Sequence, residues 1–229
     1  MTSLMFRKPT KSLADKTLRM RLLTNPSEVQ LIAETPHGKV PYWGKVCTIS
    51  ADDIALYCDK EQFDGLCRLG CPNYGKKWSC PPYSPLYNDF SSGFQDLCVV
   101  LLGLNLDELG YIKQDYLKVK AANSMLKSRV DRTLRMCITD GEKYVSTGSC
   151  RLCKPCRKKL EEPCAHPAIR TFSFEALGVN VSTMVKDIFD VNLLWYKRGL
   201  LPLYTCVVAG LLTNENPPDQ RIISKLIEI

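Results

Sequence analysis

Cysteine residues dominate the chemistry that this sequence can support. The chain has twelve, and eight of them fall in two groups, one within residues 58–80 and one within residues 150–164. Cysteine thiolates bind zinc and iron–sulfur clusters. The N-terminus has no apolar export signal, and grouped cysteines in such a chain more often bind metal than form disulfides. We therefore expect two metal centres.

The second group has the more specific spacing. Cys150, Cys153 and Cys156 form a C-x2-C-x2-C run, and Cys164 follows after a longer gap. Two-residue gaps let one loop wrap around three corners of a 4Fe–4S cube, as in bacterial ferredoxins. Structural zinc sites more often use two separate C-x2-C pairs, so zinc is the less favoured alternative. Cys164 can ligate this cluster or the neighbouring one. His166 is expected to donate a hydrogen bond nearby, with iron ligation as the alternative.

The first group is the motif C-x3-C-x8-C-P-P, which runs from Cys67 through Cys71 to Cys80. The insert PNYGKKWS predicts a turn around Gly75 that returns Cys80 to the other two cysteines. Cys58 lies nine residues upstream of Cys67 and can serve as a fourth ligand. With Cys58 bound, the cluster is closed and suits electron storage or a structural role. Without it, one iron is open to a substrate atom. The sequence leaves both alternatives open.

The side chains around the two groups predict a charged and aromatic setting. Trp78 and Tyr74 either cover the first cluster or belong to the core. Cations near an anionic cluster favour its reduced form and can steer an acidic redox partner or an anionic substrate, although a solvated rim is the simpler explanation. These cations are Arg68, Lys76, Lys77, Arg151, Lys154, Arg157, Lys158 and Lys159. The remaining cysteines lie in apolar stretches and are expected to be buried free thiols: Cys47, Cys98, Cys137 and Cys206.

Composition and charge are those of an ordinary globular chain. Of 229 residues, 45% are apolar and 24% charged. We expect one domain over residues 1–229, with a basic N-terminal segment, residues 1–25, that can be flexible. The formal charge of +7 falls to roughly +3 if eight thiolates hold two clusters, which argues against a nucleic-acid partner. No apolar run is long enough to span a membrane, so we expect a cytoplasmic location.

Strand and helix patterns alternate along the chain. The sequence predicts strands at 28–34, 45–50, 97–104, 136–140 and 203–212, and a turn region at 36–44. It predicts a long helix at 111–134 and short helices at 51–57, 173–178 and 182–189. This order favours a mixed α/β (α+β) fold, with a central mixed sheet, flanking helices and two cysteine-rich cluster-binding loops.

Several motifs in order resemble one known family. The stretches CRLGCPNYGKKWSCPPYSP, GSCRLCKPC, EEPCAHPAIR and TFSFEALGVNV resemble the prokaryotic domain-of-unknown-function family of predicted metal-binding proteins. The resemblance runs from Cys67 to Leu212. Thr171 and Phe172 replace the arginine–proline pair that the family pattern has before the serine. The resemblance implies iron–sulfur binding and an anaerobic, prokaryotic setting, and it implies no particular reaction.

Three functions are compatible with these patterns. The favoured one is an iron–sulfur protein with two 4Fe–4S clusters, which transfers electrons to a redox partner within a larger anaerobic oxidoreductase system. An alternative is an enzyme that uses an open-iron cluster held by Cys67, Cys71 and Cys80 on a small, anionic molecule. That alternative predicts a pocket at the Cys67–Cys80 loop, lined by basic and aromatic residues, with Glu175 as the nearest candidate acid or base. A structural zinc-binding protein is the third.

Overall fold

A six-stranded mixed sheet forms the centre of the molecule, in a computed structural model that describes residues 22–229. Its order is β1-β2-β3-β6-β4-β5, and neighbouring strands are antiparallel except β4 and β5. The strands are β1 (Ser27–Thr35), β2 (Gly38–Ser50), β3 (Asp96–Asn105), β4 (Lys143–Ser146), β5 (Phe172–Ser173) and β6 (Tyr204–Thr213). The predicted mixed α/β class is confirmed.

Five α-helices surround the sheet in the described part of the chain. They are α1 (Lys60–Gly70), α2 (Tyr87–Ser91), α3 (Asp115–Cys137), α4 (Val181–Phe189) and α5 (Asp219–Glu228). Short 3-10 helices occupy Ala51–Tyr57, Leu106–Leu109, Arg157–Leu160 and Glu175–Leu177. Within residues 22–229, no helix combines the length and apolarity that crossing a bilayer requires.

The sheet is buried on both faces, and β3 shows why. Successive side chains of a strand point to opposite faces, and every residue of β3 from Leu97 to Leu104 is buried. Val100 and Leu102 join the apolar cluster that includes residues of α3 and α5. Val99 and Leu101 join the cluster that includes residues of α4. The continuous apolar run predicted for residues 97–104 is therefore a central strand covered on both sides.

Two predicted elements differ from the structure. The turn region predicted at 36–44 is wrong for most of its length, because residues 38–44 belong to β2 and pair with β1. The strand predicted at 136–140 is also wrong. Met136 and Cys137 end α3, whose apolar face continues through Leu134 to the buried Cys137. Over so short a stretch, the apolar pattern fits both a strand and a helix. Packing against the sheet favours the helix.

The N-terminal segment predicted for residues 1–25 falls mostly outside the described residues. The structure describes it from residue 22 onward. There, the backbone N–H groups of Leu23 and Thr24 both donate to the carbonyl of Thr48, at 2.9 and 3.2 Å. Residues 22–24 therefore lie along β2.

Candidate metal centre

The first cysteine group is built on the C-terminal end of α1. Asp59 caps the start of this helix by accepting a hydrogen bond from the backbone N–H of Gln62 at 3.0 Å. Cys67 lies in the last turn of α1. Cys71 follows the helix, and its N–H donates to the carbonyl of Cys67 at 3.0 Å. Cys67 is therefore held on a helix, whereas the sequence had predicted a loop at this position.

A chain of tight turns connects Cys71 to Cys80. Gly75 has a φ of +67°, a left-handed conformation that glycine adopts without strain. Its N–H donates to the carbonyl of Pro81 at 2.9 Å, and the N–H of Cys80 donates to the carbonyl of Lys77 at 3.1 Å. The turn predicted around Gly75 is thus present, and it folds the chain back on itself.

The three thiols of the first group influence one another electrostatically. Burial raises the pKa of the Cys67 thiol to about 11, with further contributions, in decreasing order, from Cys71 and Cys80 and from the carboxylates of Asp64 and Glu175. Burial also raises the pKa of Cys80, to which Cys71 contributes. Such effects require the groups to be neighbours. Metal binding must displace the protons that these raised pKa values retain at neutral pH.

The segment 173–180 fixes the start of α1 and therefore the position of Cys67. The N–H of Asp59 donates to the carbonyl of Gly178 at 2.8 Å. Gly178 has a φ of +88°, and a Cβ added to it would lie 2.8 Å from the Cα of Lys60. Because this contact needs glycine, the FEALG stretch can pack directly on α1. The same segment contains Glu175, whose carboxylate contributes to the raised pKa of Cys67.

The second cysteine group lines one small cavity in the connection between β4 and β5. The cavity has a volume of about 20 Å³, and the predicted ligands in its wall are Cys150, Cys153, Cys156 and Cys164. His166 and Arg170 also line it. The Nε of Arg170 is buried and has no hydrogen-bond partner among the described residues. The structure thus brings the four cysteines of this group to a single site.

The donor set of this cavity suits an anionic iron–sulfur cluster. Four thiolates around a 4Fe–4S core carry a net negative charge, and the unpartnered guanidinium N–H of Arg170 is the kind of donor that this charge attracts. A volume of about 20 Å³ holds about one water molecule, so the loop must widen to admit a cube.

The sulfur atoms are not gathered around a point that suits one ion. In the described part of the chain, no three His, Cys, Asp or Glu side chains form a group that could hold a single metal ion. Thiolates around one tetrahedral zinc lie about 3.8 Å apart, because each Zn–S bond is about 2.3 Å long. A 4Fe–4S cube binds each thiolate at a different corner and therefore holds the sulfur atoms farther apart.

Direct contacts join the two groups into one unit. The Lys77 ammonium donates to the carbonyl of Cys150 at 3.3 Å, and the Ser79 hydroxyl accepts a hydrogen bond from the N–H of Cys150 at 3.0 Å. The thiol of Cys156, from the second group, contributes to the raised pKa of Cys80 in the first. Neither Ser79 nor Arg170 had been singled out in the sequence, since neither belongs to a ligand motif.

Aromatic and cationic side chains pack across the junction of the two groups. The indole N–H of Trp78 donates to the carbonyl of Glu162 at 2.9 Å, and the Trp78 and Tyr83 ring centroids lie 5.0 Å apart. The Lys158 ammonium lies 5.3 and 4.8 Å from these two centroids and contacts Glu161. Lys158 is buried, so it belongs to this packing and not to a solvated rim. Trp78 lines the cavity of the second group.

Comparison with known families agrees with this cysteine chemistry. A family model described as predicted metal-binding protein (DUF2284) matches residues 47–208, more than half of the chain. The chain belongs to this family. The matched range includes both cysteine groups and the segment 173–180 that holds α1. No curated protein and no solved structure matches the chain. Membership of DUF2284 supports metal binding and leaves the kind of metal and the reaction to be proposed.

Cys58 lies at the end of the 3-10 helix Ala51–Tyr57 in this DUF2284 protein. Its thiol donates to the carbonyl of Ile54 at 3.4 Å, and its backbone pairs with Val179. Burial alone raises the pKa of Cys58, to about 11, whereas neighbouring thiols contribute at Cys67. The thiol of Cys58 is therefore directed to its own helix and to the apolar cluster around it.

The other four cysteines are free, as all twelve are. Cys47, Cys98 and Cys137 are buried, and Cys206 is partly buried. The prediction that these residues are buried free thiols is confirmed for Cys47, Cys98 and Cys137, although Cys137 lies in α3 and not in a strand. Cys206 differs because its side chain reaches the wall of a second, larger cavity.

The wall of this larger cavity, of about 380 Å³, contains a neighbour in sequence of the second cysteine group but none of the eight grouped cysteines. Its wall contains Glu175, whose carboxylate contributes to the raised pKa of the Cys67 thiol. It also contains Arg151, which follows Cys150 in the chain. Trp195 and Lys127 also line it. The volume suits a small organic molecule. The sequence had pointed to Glu175 and Arg151, but not to Lys127 or Trp195, which no local motif marks.

Proposed function

We propose that this DUF2284 protein binds two 4Fe–4S clusters and transfers single electrons between them and a redox partner. One observation carries the proposal: Cys150, Cys153, Cys156 and Cys164 line a single cavity, next to the neighbouring thiols of the first group. When bound, 4Fe–4S clusters accept and release single electrons at potentials that the surrounding charges and hydrogen bonds set.

The contacts between the two groups support electron transfer from one to the other. Ser79 bonds to Cys150, and its hydroxyl lies 3.8 Å from the thiol sulfur of Cys80, so one side chain touches both groups. Lys77 opposes the rise in the pKa of Cys80 and contacts the carbonyl of Cys150. A cation at this position stabilises negative charge on either group.

Exposure of the first group supports contact with a partner protein. Cys71 is exposed, as are the nearby cations Arg68 and Lys76. Lys154 and Lys159, in the second group's connection, are exposed as well. Positive charge beside an accessible electron-transfer centre attracts an acidic partner and speeds its association.

The test is a reductive titration of the full chain purified without oxygen. We expect reversible reduction by dithionite and two sets of paramagnetic signals in electron paramagnetic resonance spectra. Cys71→Ala should remove one set and Cys153→Ala the other. Cys137→Ala, at a buried free thiol outside both groups, should keep both sets. A protein that takes up no electrons, or that loses no signal in either variant, would refute the proposal.

A second candidate, an enzyme with an open-iron cluster, is favoured by the position of Cys58. Its thiol donates a hydrogen bond to the carbonyl of Ile54, which supports a first cluster with Cys67, Cys71 and Cys80 as ligands and no fourth one. The cavity of about 380 Å³, whose wall contains Glu175, supplies room for a small molecule. In this function Glu175, whose carboxylate contributes to the raised pKa of the Cys67 thiol, would serve as the acid or base that holds or transfers a proton.

A third candidate, structural zinc binding, is favoured by the small size of the other cavity. About 20 Å³ between the four cysteines of the second group is closer to the volume of a single ion than to that of a cube, although the thiols would have to draw together around the ion. This function predicts stoichiometric zinc, no acid-labile sulfide and no reduction by dithionite.

A further inference from the structure

Positive charge is concentrated in the cavity of about 380 Å³ whose wall contains Arg151 and Glu175. Three cations line it, Lys120 and Lys127 from α3 and Arg151 from the connection after β4, together with one carboxylate, that of Glu175. None of these four side chains forms an ion pair with another residue of the described chain. The cavity wall therefore carries an uncompensated charge of about +2.

Lys127 is the cation whose position is hardest to explain without a ligand. It is partly buried, and burial lowers the pKa of its ammonium, as does the neighbouring Arg151. Holding two cations close together, one of them partly buried, is unfavourable. A bound anion would contact both and offset this repulsion, because charge-assisted hydrogen bonds strengthen as water is excluded.

The rest of the wall contains neutral donors and an apolar side. Thr205 donates to the side-chain oxygen of Asn123 at 3.2 Å, which leaves the amide N–H groups of Asn123 for a ligand. Trp195, Leu193 and Val181 supply apolar surface. A purely inorganic anion would leave this apolar surface unused. The wall thus matches a molecule with both anionic groups and a hydrocarbon part.

We propose that this cavity binds a small organic dianion, with anionic oxygens at Lys127 and Arg151 and its carbon skeleton against Trp195. A dicarboxylate of a few carbons has the charge and the size that the cavity requires. The inference rests on the second candidate function, since it names the class of substrate that an enzyme with an open-iron cluster would use. Binding itself needs only the described residues.

Calorimetric titration of the full chain, as purified, with succinate tests the proposal. We expect a dissociation constant in the millimolar range or below, and no binding of the neutral diamide of succinate. Lys127→Met should raise that constant by about tenfold or more, because it removes a charge-assisted contact. Arg132→Gln, an exposed charge on the same helix outside the cavity, should change it by less than about twofold.

Glu175→Gln should change the dissociation constant for succinate in the opposite direction to Lys127→Met. A misfolded variant would not bind more tightly. Removing the one carboxylate from the wall should tighten succinate binding by about threefold. No binding at about 50 mM succinate would overturn the proposal, as would an equal loss in Lys127→Met and Arg132→Gln. Binding of inorganic phosphate without binding of succinate would show a site for a compact anion and contradict the assignment. Iron content, measured on the same samples, separates failure of this inference from failure of the cluster proposal.

Discussion

Gly178 carries the contact that positions α1, and its replacement by alanine should disturb both stability and the first metal centre. No residue of α1 is buried, so the helix depends on the contacts at its N-terminal end. Those contacts are the hydrogen bond from Asp59 to Gly178 and the close approach of Gly178 to Lys60. A methyl group at position 178 would have to push the start of α1 away, and Cys67 would move with it.

Two contributions lower the free energy of unfolding in the Gly178→Ala variant. Alanine at a φ of +88° costs about 1–2 kcal/mol relative to a relaxed backbone. Its Cβ would lie 2.8 Å from the Lys60 Cα, which is backbone and cannot rotate away, and such overpacking costs about 1–3 kcal/mol more. The free energy of unfolding should therefore fall by about 2–5 kcal/mol.

The matched control is Gly93→Ala. Gly93 has a nearly equal φ of +87°, and a Cβ there would meet nothing within 4 Å. Only the backbone term applies, so the loss should be about 1–2 kcal/mol. Urea denaturation of both variants measures the difference, and metal analysis should show loss from the first group in Gly178→Ala alone. Equal destabilisation and equal metal content in the two variants would refute the packing of α1 described here.

Three further outcomes test the site. Cys58→Ala should keep all bound iron, whereas Cys67→Ala should lose the metal of the first group; loss of iron from Cys58→Ala would make Cys58 the fourth ligand. Ser79→Ala leaves the N–H of Cys150 without its acceptor and should lower the free energy of unfolding by about 1–3 kcal/mol in urea titrations, whereas an unchanged value would contradict that hydrogen bond. Burial lowers the pKa of Lys127 below its usual 10.5, so succinate affinity should fall as pH rises through that lowered pKa, while the Lys127→Met variant should show no such fall in calorimetry.

Local patterns predicted much of the fold. The period of apolar residues at 111–134 corresponds to α3 (Asp115–Cys137), and the continuous apolar runs correspond to β3 and β6. Gly75 was predicted to form a turn, and the short helix predicted at 173–178 ends at Gly178; both glycines have positive φ. These features depend on near neighbours in the chain, which is why sequence alone reveals them.

Tertiary packing decides what the sequence did not reveal. Helix α1 was not predicted: its apolar residues at helical spacing, Phe63, Leu66 and Cys67, are few and none is buried, and the cysteine motif had suggested a loop. Arg170 reaches the cavity of the second group from outside the cysteine motif. Lys127 and Trp195 meet in one wall although they are far apart in sequence. The cysteine groups could be identified because ligand spacing is a local property, whereas the surrounding donors and cations are assembled only by the fold.

The metal and sulfide content of the protein, purified without oxygen, tests the central claim most directly. Two 4Fe–4S clusters predict about eight iron atoms and about eight acid-labile sulfides per chain. Cys71→Ala and Cys153→Ala should each lower both counts by about half. Stoichiometric zinc with no sulfide would contradict the account, and so would a chain that retains its iron when the cysteines of both groups are replaced.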